Sequence, residues 1–286
     1  MSPPIQITIA GMQLTVHGLD ALPAAPSAIT AVYLLHPRLQ VSSYMAPIAA
    51  AILAAAVSPT ICIAFDQRNH GTREIEPKRN EAWRQGNERH ALDLFSSYQG
   101  TAHDLENLIS YIPAYLFPDG VHSIDRHIVA GVSLGGHAAW VALLADPRIE
   151  AAGVIIGCAD YLAMTQHRAV KSRLVGYAAG ESVHFPATLM KAVERYDPAQ
   201  IGVEEAGRRL KGKRVLCLSG GADKLVPYEC SKEFIEALAN VTGVDVVSRV
   251  FDGVGHECTP EMIDQLAHWV RDVVESGHKR SGEQKL

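Results

Sequence analysis

The sequence predicts an α/β protein with a mostly parallel central sheet and helices on both faces. Three observations predict it. Apolar, β-branched runs of strand length recur at 31–35, 60–65, 128–132, 152–157, 214–219 and 244–251, and helix-spaced or loop segments alternate with them. Most of these runs are apolar at every position, as strands covered on both faces must be. One of them leads straight into Gly131-Val132-Ser133-Leu134-Gly135, where small residues then open a helix.

The elements follow in order. Residues 5–9 and 12–17 alternate apolar and polar with period two around Ala10-Gly11, an N-terminal antiparallel hairpin at a sheet edge. A helix is expected over about 43–57; its apolar run, 49–57, is bracketed by Pro47 and Pro59 and is too short to span a membrane. Residues 72–97 are polar and read as a partly ordered excursion over the sheet edge, with Asn87, His90 and Asp93 close together in it. Leu105, Leu108, Ile109, Ile112 and Leu116 give helical spacing to 102–117. Residues 160–209 change character, carry amphipathic pieces and no strong strand, and are expected to form an inserted helical cap within a single domain of residues 1–286. Helices over 229–239 and 260–275 complete the pattern, and the polar segment 276–286 is expected to be a disordered tail.

Composition narrows the function. The 286 residues are 48% hydrophobic and 20% charged, enough for a sizeable core. The formal net charge of −5 argues against a nucleic-acid or anionic-membrane partner. The start Met1-Ser2-Pro3-Pro4 lacks the basic and apolar regions of a secretory signal. The five cysteines form no Cys-x-x-Cys pair, and three lie in strand-like runs, which fits buried thiols in a reducing compartment. A cytoplasmic location is expected, with a small-molecule substrate as partner and a homodimer left open. No histidine–carboxylate spacing suggests a metal, and no phosphate-binding glycine motif is complete, so no cofactor is expected.

The chemistry centres on Ser133. A strand that turns at once into a helix forces its tip residue into a strained backbone, and Gly131 and Gly135 relieve crowding on either side. A serine hydroxyl needs a base within hydrogen-bond reach and a group that orients the base. Among 13 histidines, His256 is distinguished by its place in the glycine-rich loop between the last strand and the last helix. Asp223, in Gly220-Gly221-Ala222-Asp223, follows an intermediate strand and is the expected orienting acid, with Asp160 in reserve.

With these motifs together, the chain resembles the serine hydrolases of the α/β-hydrolase superfamily over nearly its whole length. The resemblance rests on the Gly131–Gly135 elbow, the Asp223 turn with Val226-Pro227, the Gly255-His256 loop, and His36 after an early strand. Phe65-Asp66-Gln67-Arg68-Asn69-His70-Gly71 is similar to a bracing Asp-x-Arg-x-x-Gly turn of these enzymes, in which Asp66 and Arg68 brace the loop below the nucleophile. The resemblance implies a Ser133, Asp223, His256 triad and an oxyanion hole of two backbone N–H groups, one from Leu134. Many relatives have glycine after the early histidine; here Pro37 stands there and has no N–H to donate. The other donor is then Arg38, with Leu39 as the alternative. His36, Leu162, Met164 and Phe185 are the expected substrate-binding residues, the last three as part of an apolar cap pocket. The expected function is hydrolysis of a carboxylic ester, thioester or related acyl bond of a small to medium hydrophobic substrate. A carbon–carbon hydrolase, acyltransferase or peptidase with the same triad, or a binding protein without catalysis, are the rivals.

Overall fold

The computed structural model describes the backbone of residues 3–283 and the side chains through Ser276. Its centre is one eight-stranded sheet in the order β1-β2-β4-β3-β5-β6-β7-β8. β1 (Ile5–Ile9) and β2 (Met12–His17) form the antiparallel hairpin. Ala10 and Gly11 both take left-handed φ, 50° and 79°, as a two-residue hairpin turn matched to strand twist requires. β2 pairs antiparallel with β4 (Thr60–Phe65). β3 (Ser27–Leu35), β4, β5 (His122–Val132), β6 (Ile149–Ile155), β7 (Arg214–Gly220) and β8 (Asp245–Phe251) are parallel.

The sheet buries both faces, so alternate residues of one strand enter different cores. Ala31, Tyr33 and Leu35 face one core and Val32 and Leu34 the other. The first core receives α2 (His90–Leu116), α3 (Leu134–Ala145) and α7 (Glu229–Ala239) through Leu105, Leu108, Trp140, Phe234 and Leu238. The second receives α1 (Ala46–Ala55) and α8 (Pro260–Glu283) through Ile48, Ile52, Leu266 and Val270. Between β6 and β7 the chain adds α4 (Tyr161–Lys171), α5 (Ala187–Tyr196) and α6 (Val203–Arg209).

Three expectations change. α2 begins at His90, twelve residues before the expected start, and three short 3-10 turns occupy 71–73, 77–80 and 83–85. Ala91, Leu94, Phe95 and Tyr98 are buried at helical spacing, but Asp93, Ser96, Ser97 and Gln99 between them hid the stripe. β3 and β5 extend towards their amino ends through paired Ser27–Ile29 and His122–Ile124, where polar residues masked the strand pattern. α8 continues to Glu283, so the segment expected to be a disordered tail is helical through that residue; Gln284–Leu286 lie outside the described residues. No helix among the described residues is long and apolar enough to cross a membrane.

Asp66 ties together the loops that leave β3 and β4. Its Oδ1 accepts the Ser42 N–H at 2.7 Å, and its Oδ2 accepts the Thr72 N–H at 2.8 Å and hydroxyl at 2.9 Å. Burial raises its pKa, but the hydrogen bonds from Thr72 and Ser42 outweigh burial and hold it below the usual carboxylate value. Arg68 instead makes a two-point pair with Asp104 of α2, at 3.0 and 2.9 Å. The bracing expected of this turn is thus divided between two acids. Asp66→Asn sets an amide donor against buried donors and is expected to cost about 1–3 kcal/mol at pH 7. A depressed native pKa stabilises the fold above the unfolded pKa and ceases to as pH falls through the native value. The gap between wild type and variant in urea midpoint should therefore narrow in acid; a gap that is constant from pH 7 to below 4 contradicts the assignment.

Candidate active site

The site lies at the carboxyl edge of the sheet, built from the loops after β3, β5, β7 and β8. Ser133, between β5 and α3, holds φ 52° and ψ −109°, a conformation rare for a residue with a Cβ. Its N–H donates to Ile155 O at 2.9 Å, which anchors the turn to β6. The flanking glycines are required by close approach. A Cβ on Gly131 would stand 2.1 Å from Gly135 O, and one on Gly135 would stand 2.0 Å from Leu35 O.

Ser133 Oγ and His256 Nε2 are 2.9 Å apart, and His256 Nδ1 lies 2.7 Å from Asp223 Oδ2. A carboxylate only accepts, so Nδ1 carries the proton and Nε2 is free to accept from the serine hydroxyl. The other oxygen of Asp223, Oδ1, accepts the N–H groups of Leu225 at 2.8 Å and Val226 at 2.9 Å. Burial raises the Asp223 pKa, while His256 and these two amides lower it more and hold it below the usual carboxylate value. The loop bearing His256 is laced to the loop bearing Asp223. Gly221 N–H donates to Phe251 O and Ala222 N–H to Val254 O, each at 2.8 Å. The glycines of the Asp223 loop allow this approach: a Cβ on Gly220 would stand 2.3 Å from Gly255 O.

Asp160, the reserve acid, stands elsewhere: its Oδ1 accepts the Ala163 N–H at 2.8 Å as the N-cap of α4. No acceptor among the described residues takes the N–H of Leu134 or of Arg38. Leu39, the other candidate, lies in a turn closed by Gln40 N–H to Pro37 O, with φ 62°.

The expected substrate-binding residues are placed differently. His36 is fully buried. Its Nδ1–H donates to Pro37 O at 2.8 Å and its Nε2 accepts the Gln67 N–H at 2.9 Å. Both nitrogens are committed, so His36 joins the ends of β3 and β4 and does not face substrate. Burial first, with the nearby His70 adding to it, lowers its pKa to about 4, consistent with the neutral ring these partners need. Met164 and Phe185 are fully buried in the first core, and Leu162 packs against it. None of the three lines the cavity beside the site.

That cavity, about 530 Å³, is walled by Arg38, Leu39, the 81–85 turn, His90, Arg168, Lys171, Ser172, Lys224 and Leu225. Sequence reasoning missed Arg168, which reaches the wall from α4. Its place in an amphipathic helix carried no sign of which partner lies opposite. Of the polar cluster in 72–97, Asn87 donates to Asp93 Oδ2 at 3.0 Å, and His90 Nδ1–H donates to Glu81 O at 2.9 Å. Of that cluster, His90 lines the cavity and Asn87 and Asp93 do not.

Comparisons with known proteins bear on the fold and the family. Among solved structures, the chain is similar to TT1662 from Thermus thermophilus, with a TM-score of 0.68 and 20% identity over 94% of this chain and 96% of that one. It is similar to the Pyrococcus furiosus esterase Pf2001, at TM-score 0.56 and 17% identity over 94% and 91%. It is also similar to the Pyrococcus horikoshii acylaminoacyl peptidase, at TM-score 0.61 and 14% identity over 95% of this chain and 41% of that one. At such identities these likenesses speak for the fold. No curated protein matches the sequence. The profile of the prolyl oligopeptidase family matches residues 100–276, a stretch that is more than half of the chain and contains Ser133, Asp223 and His256. The chain therefore belongs to the prolyl oligopeptidase family, a group of serine hydrolases within the α/β-hydrolase superfamily.

Proposed function

We propose that the protein hydrolyses a carboxylic ester, thioester or related acyl bond of a small to medium-sized substrate through an acyl-enzyme on Ser133. The observation that carries this reading is the continuous relay from Ser133 Oγ to His256 Nε2, 2.9 Å, and from His256 Nδ1 to Asp223 Oδ2, 2.7 Å. As Oγ attacks the carbonyl carbon, its proton passes to Nε2, and the imidazolium is stabilised by the buried Asp223 carboxylate. The carbonyl oxygen gains the negative charge, and the free N–H groups of Arg38 and Leu134 are the donors for it. Nε2 then gives its proton to the leaving group as the C–O or C–S bond breaks. A water, deprotonated by His256, releases the acid and restores the serine.

Pro37 suits this arrangement. Its ring fixes φ near −65° and biases His36 to extended backbone, which presets the following N–H of Arg38. A cavity of about 530 Å³ falls in the range that takes a small-molecule substrate. The expectation of a wholly hydrophobic substrate drew on Leu162, Met164 and Phe185, and their burial in the core removes its basis. A second reading, cleavage of an amide in a short acylated peptide, is favoured by the match to the prolyl oligopeptidase family.

Two predictions follow from the relay. A fluorophosphonate probe should label the wild type at Ser133, and Ser133→Ala should abolish labelling and turnover with the circular dichroism spectrum unchanged. Labelling of the variant at another serine contradicts the proposal. Comparing an ester and an amide of the same acyl group separates the two readings. Asp223→Asn should lower kcat by about 10⁴, because the imidazole loses its tautomer and its counter-charge. Asp160→Asn should leave kcat within roughly threefold, since asparagine also accepts at an N-cap. Steady-state kinetics of the two variants checks the assignment, and a larger loss at Asp160 would overturn it.

A further inference from the structure

The cavity beside the relay has a charge opposite to that of the chain. Its wall includes Arg38, Arg84, Arg168, Lys171 and Lys224 against Glu81 alone among acids, in a protein of net charge −5. Two of these cations are tied to the reacting groups: Arg38 supplies a free N–H, and Lys224 follows Asp223 directly.

Of Arg38 and Arg168, the second is the more deeply buried. It is 7% exposed, and its Nε donates to Leu225 O at 3.0 Å. Its Nη1 is buried with no hydrogen-bond partner. The Arg38 guanidinium likewise donates to a neutral carbonyl, that of Asn80. Burial first, and then the like charge of Arg38, draw the Arg168 pKa down to about 10, so it still carries its proton at neutral pH. A guanidinium withdrawn from water beside another, with one donor on a carbonyl and one on nothing, destabilises the fold. Such a cost is relieved by an anion that accepts from both.

The same wall holds two further unmet polar atoms. Trp83 Nε1 and His90 Nε2 are buried without partners. The two rings meet edge to face with centroids 4.9 Å apart. Trp83 offers an N–H donor. His90 spends its Nδ1–H on Glu81 O, which leaves Nε2 as an acceptor only. Burial first, and then Arg168 and Arg38, keep His90 neutral, so the wall's charge comes from the arginines and lysines. An apolar occupant would leave the arginine and tryptophan donors unsatisfied, and a neutral polar one would leave the charges unmatched.

We propose that this cavity binds a carboxylate of the substrate between Arg168 and Arg38, so that Ser133 acts selectively on acyl compounds whose far end is negatively charged. The inference rests on the hydrolase reading for its catalytic half; the anion site itself stands on the cavity wall. Guanidinium groups match a carboxylate through paired N–H donors, and lysines at the rim would draw the anion inward.

The test compares two substrates of equal chain length, 4-nitrophenyl hydrogen adipate and 4-nitrophenyl hexanoate. Wild type is expected to prefer the adipate in kcat/KM by roughly 10–100-fold, the span that hydrogen bonds to a charged group supply, and mainly through KM. The preference should fall as sodium chloride is raised. It should collapse in Arg168→Met and be partly restored in Arg168→Lys. Calorimetry on Ser133→Ala, where no turnover occurs, should show adipate binding and no binding of adipamide. Equal or reversed preference in a wild type that a fluorophosphonate labels overturns the inference and leaves the hydrolase reading intact. A protein that neither labels nor turns over loses the hydrolase reading, and adipate calorimetry then decides the anion site by itself. Neither of these arms depends on the folding of an Arg168 variant.

Discussion

The carboxyl edge of the sheet depends on one close approach, the passage of the β5–α3 turn across the end of β3. The backbone at Gly135 comes so near Leu35 that a single Cβ would stand 2.0 Å from a carbonyl oxygen. That proximity sets the Leu134 N–H beside the chain that leaves β3 at His36. It also leaves Ser133 nowhere to go but a left-handed backbone at φ 52°. Such conformations cost on the order of 1–3 kcal/mol each and persist only where surrounding structure over-determines them. Here the two cores on either face of the sheet and the anchor from Ser133 N–H to Ile155 O do so.

Strain at this edge is not confined to the serine. Among the described residues six non-glycines have positive φ, and four of them, Leu39, Asn69, Ser133 and Ile156, follow the ends of β3, β4, β5 and β6. These four strands are neighbours in the sheet. Ligand sites of parallel sheets lie at carboxyl ends, where loops must turn sharply to leave room above the strands. His36, Gln67 and Asp66 hold two of these turns through buried hydrogen bonds. Asp66 and His36 thus serve the site through the backbone they position.

Electrostatics divides the region into two halves. Around Ser133 the charges are balanced: Asp223 faces the imidazole, and its remaining oxygen is satisfied by two amides. Beyond Arg38 the balance fails, because Arg38 and Arg168 both donate to carbonyls and burial deprives Arg168 of water. A stable core has no use for such a pair, since apolar residues of similar volume commonly serve as well or better. The imbalance is therefore best understood as part of recognition, with the rest of the fold supporting its cost.

The sequence by itself determined the fold class, the N-terminal hairpin, the alternation of strands and helices, and Ser133, Asp223 and His256 as the candidates for one site. Each of these is written in local patterns: period two, unbroken apolar runs, and glycine where backbones crowd. The start of α2 escaped, because Asp93, Ser96 and Ser97 on its exposed side broke the apolar stripe of Leu94, Phe95 and Tyr98. Only the tertiary structure decided between Asp223 and Asp160, since both follow strands and the distance to His256 is a property of which loops meet. It alone turned His36 inward, sent Met164 and Phe185 into the core, and brought Arg168 from α4 opposite Arg38. Amphipathic periodicity tells which face of a helix is buried and is silent on what that face is buried against. A pocket wall is assembled from segments far apart in the chain, so its charge is decided by packing.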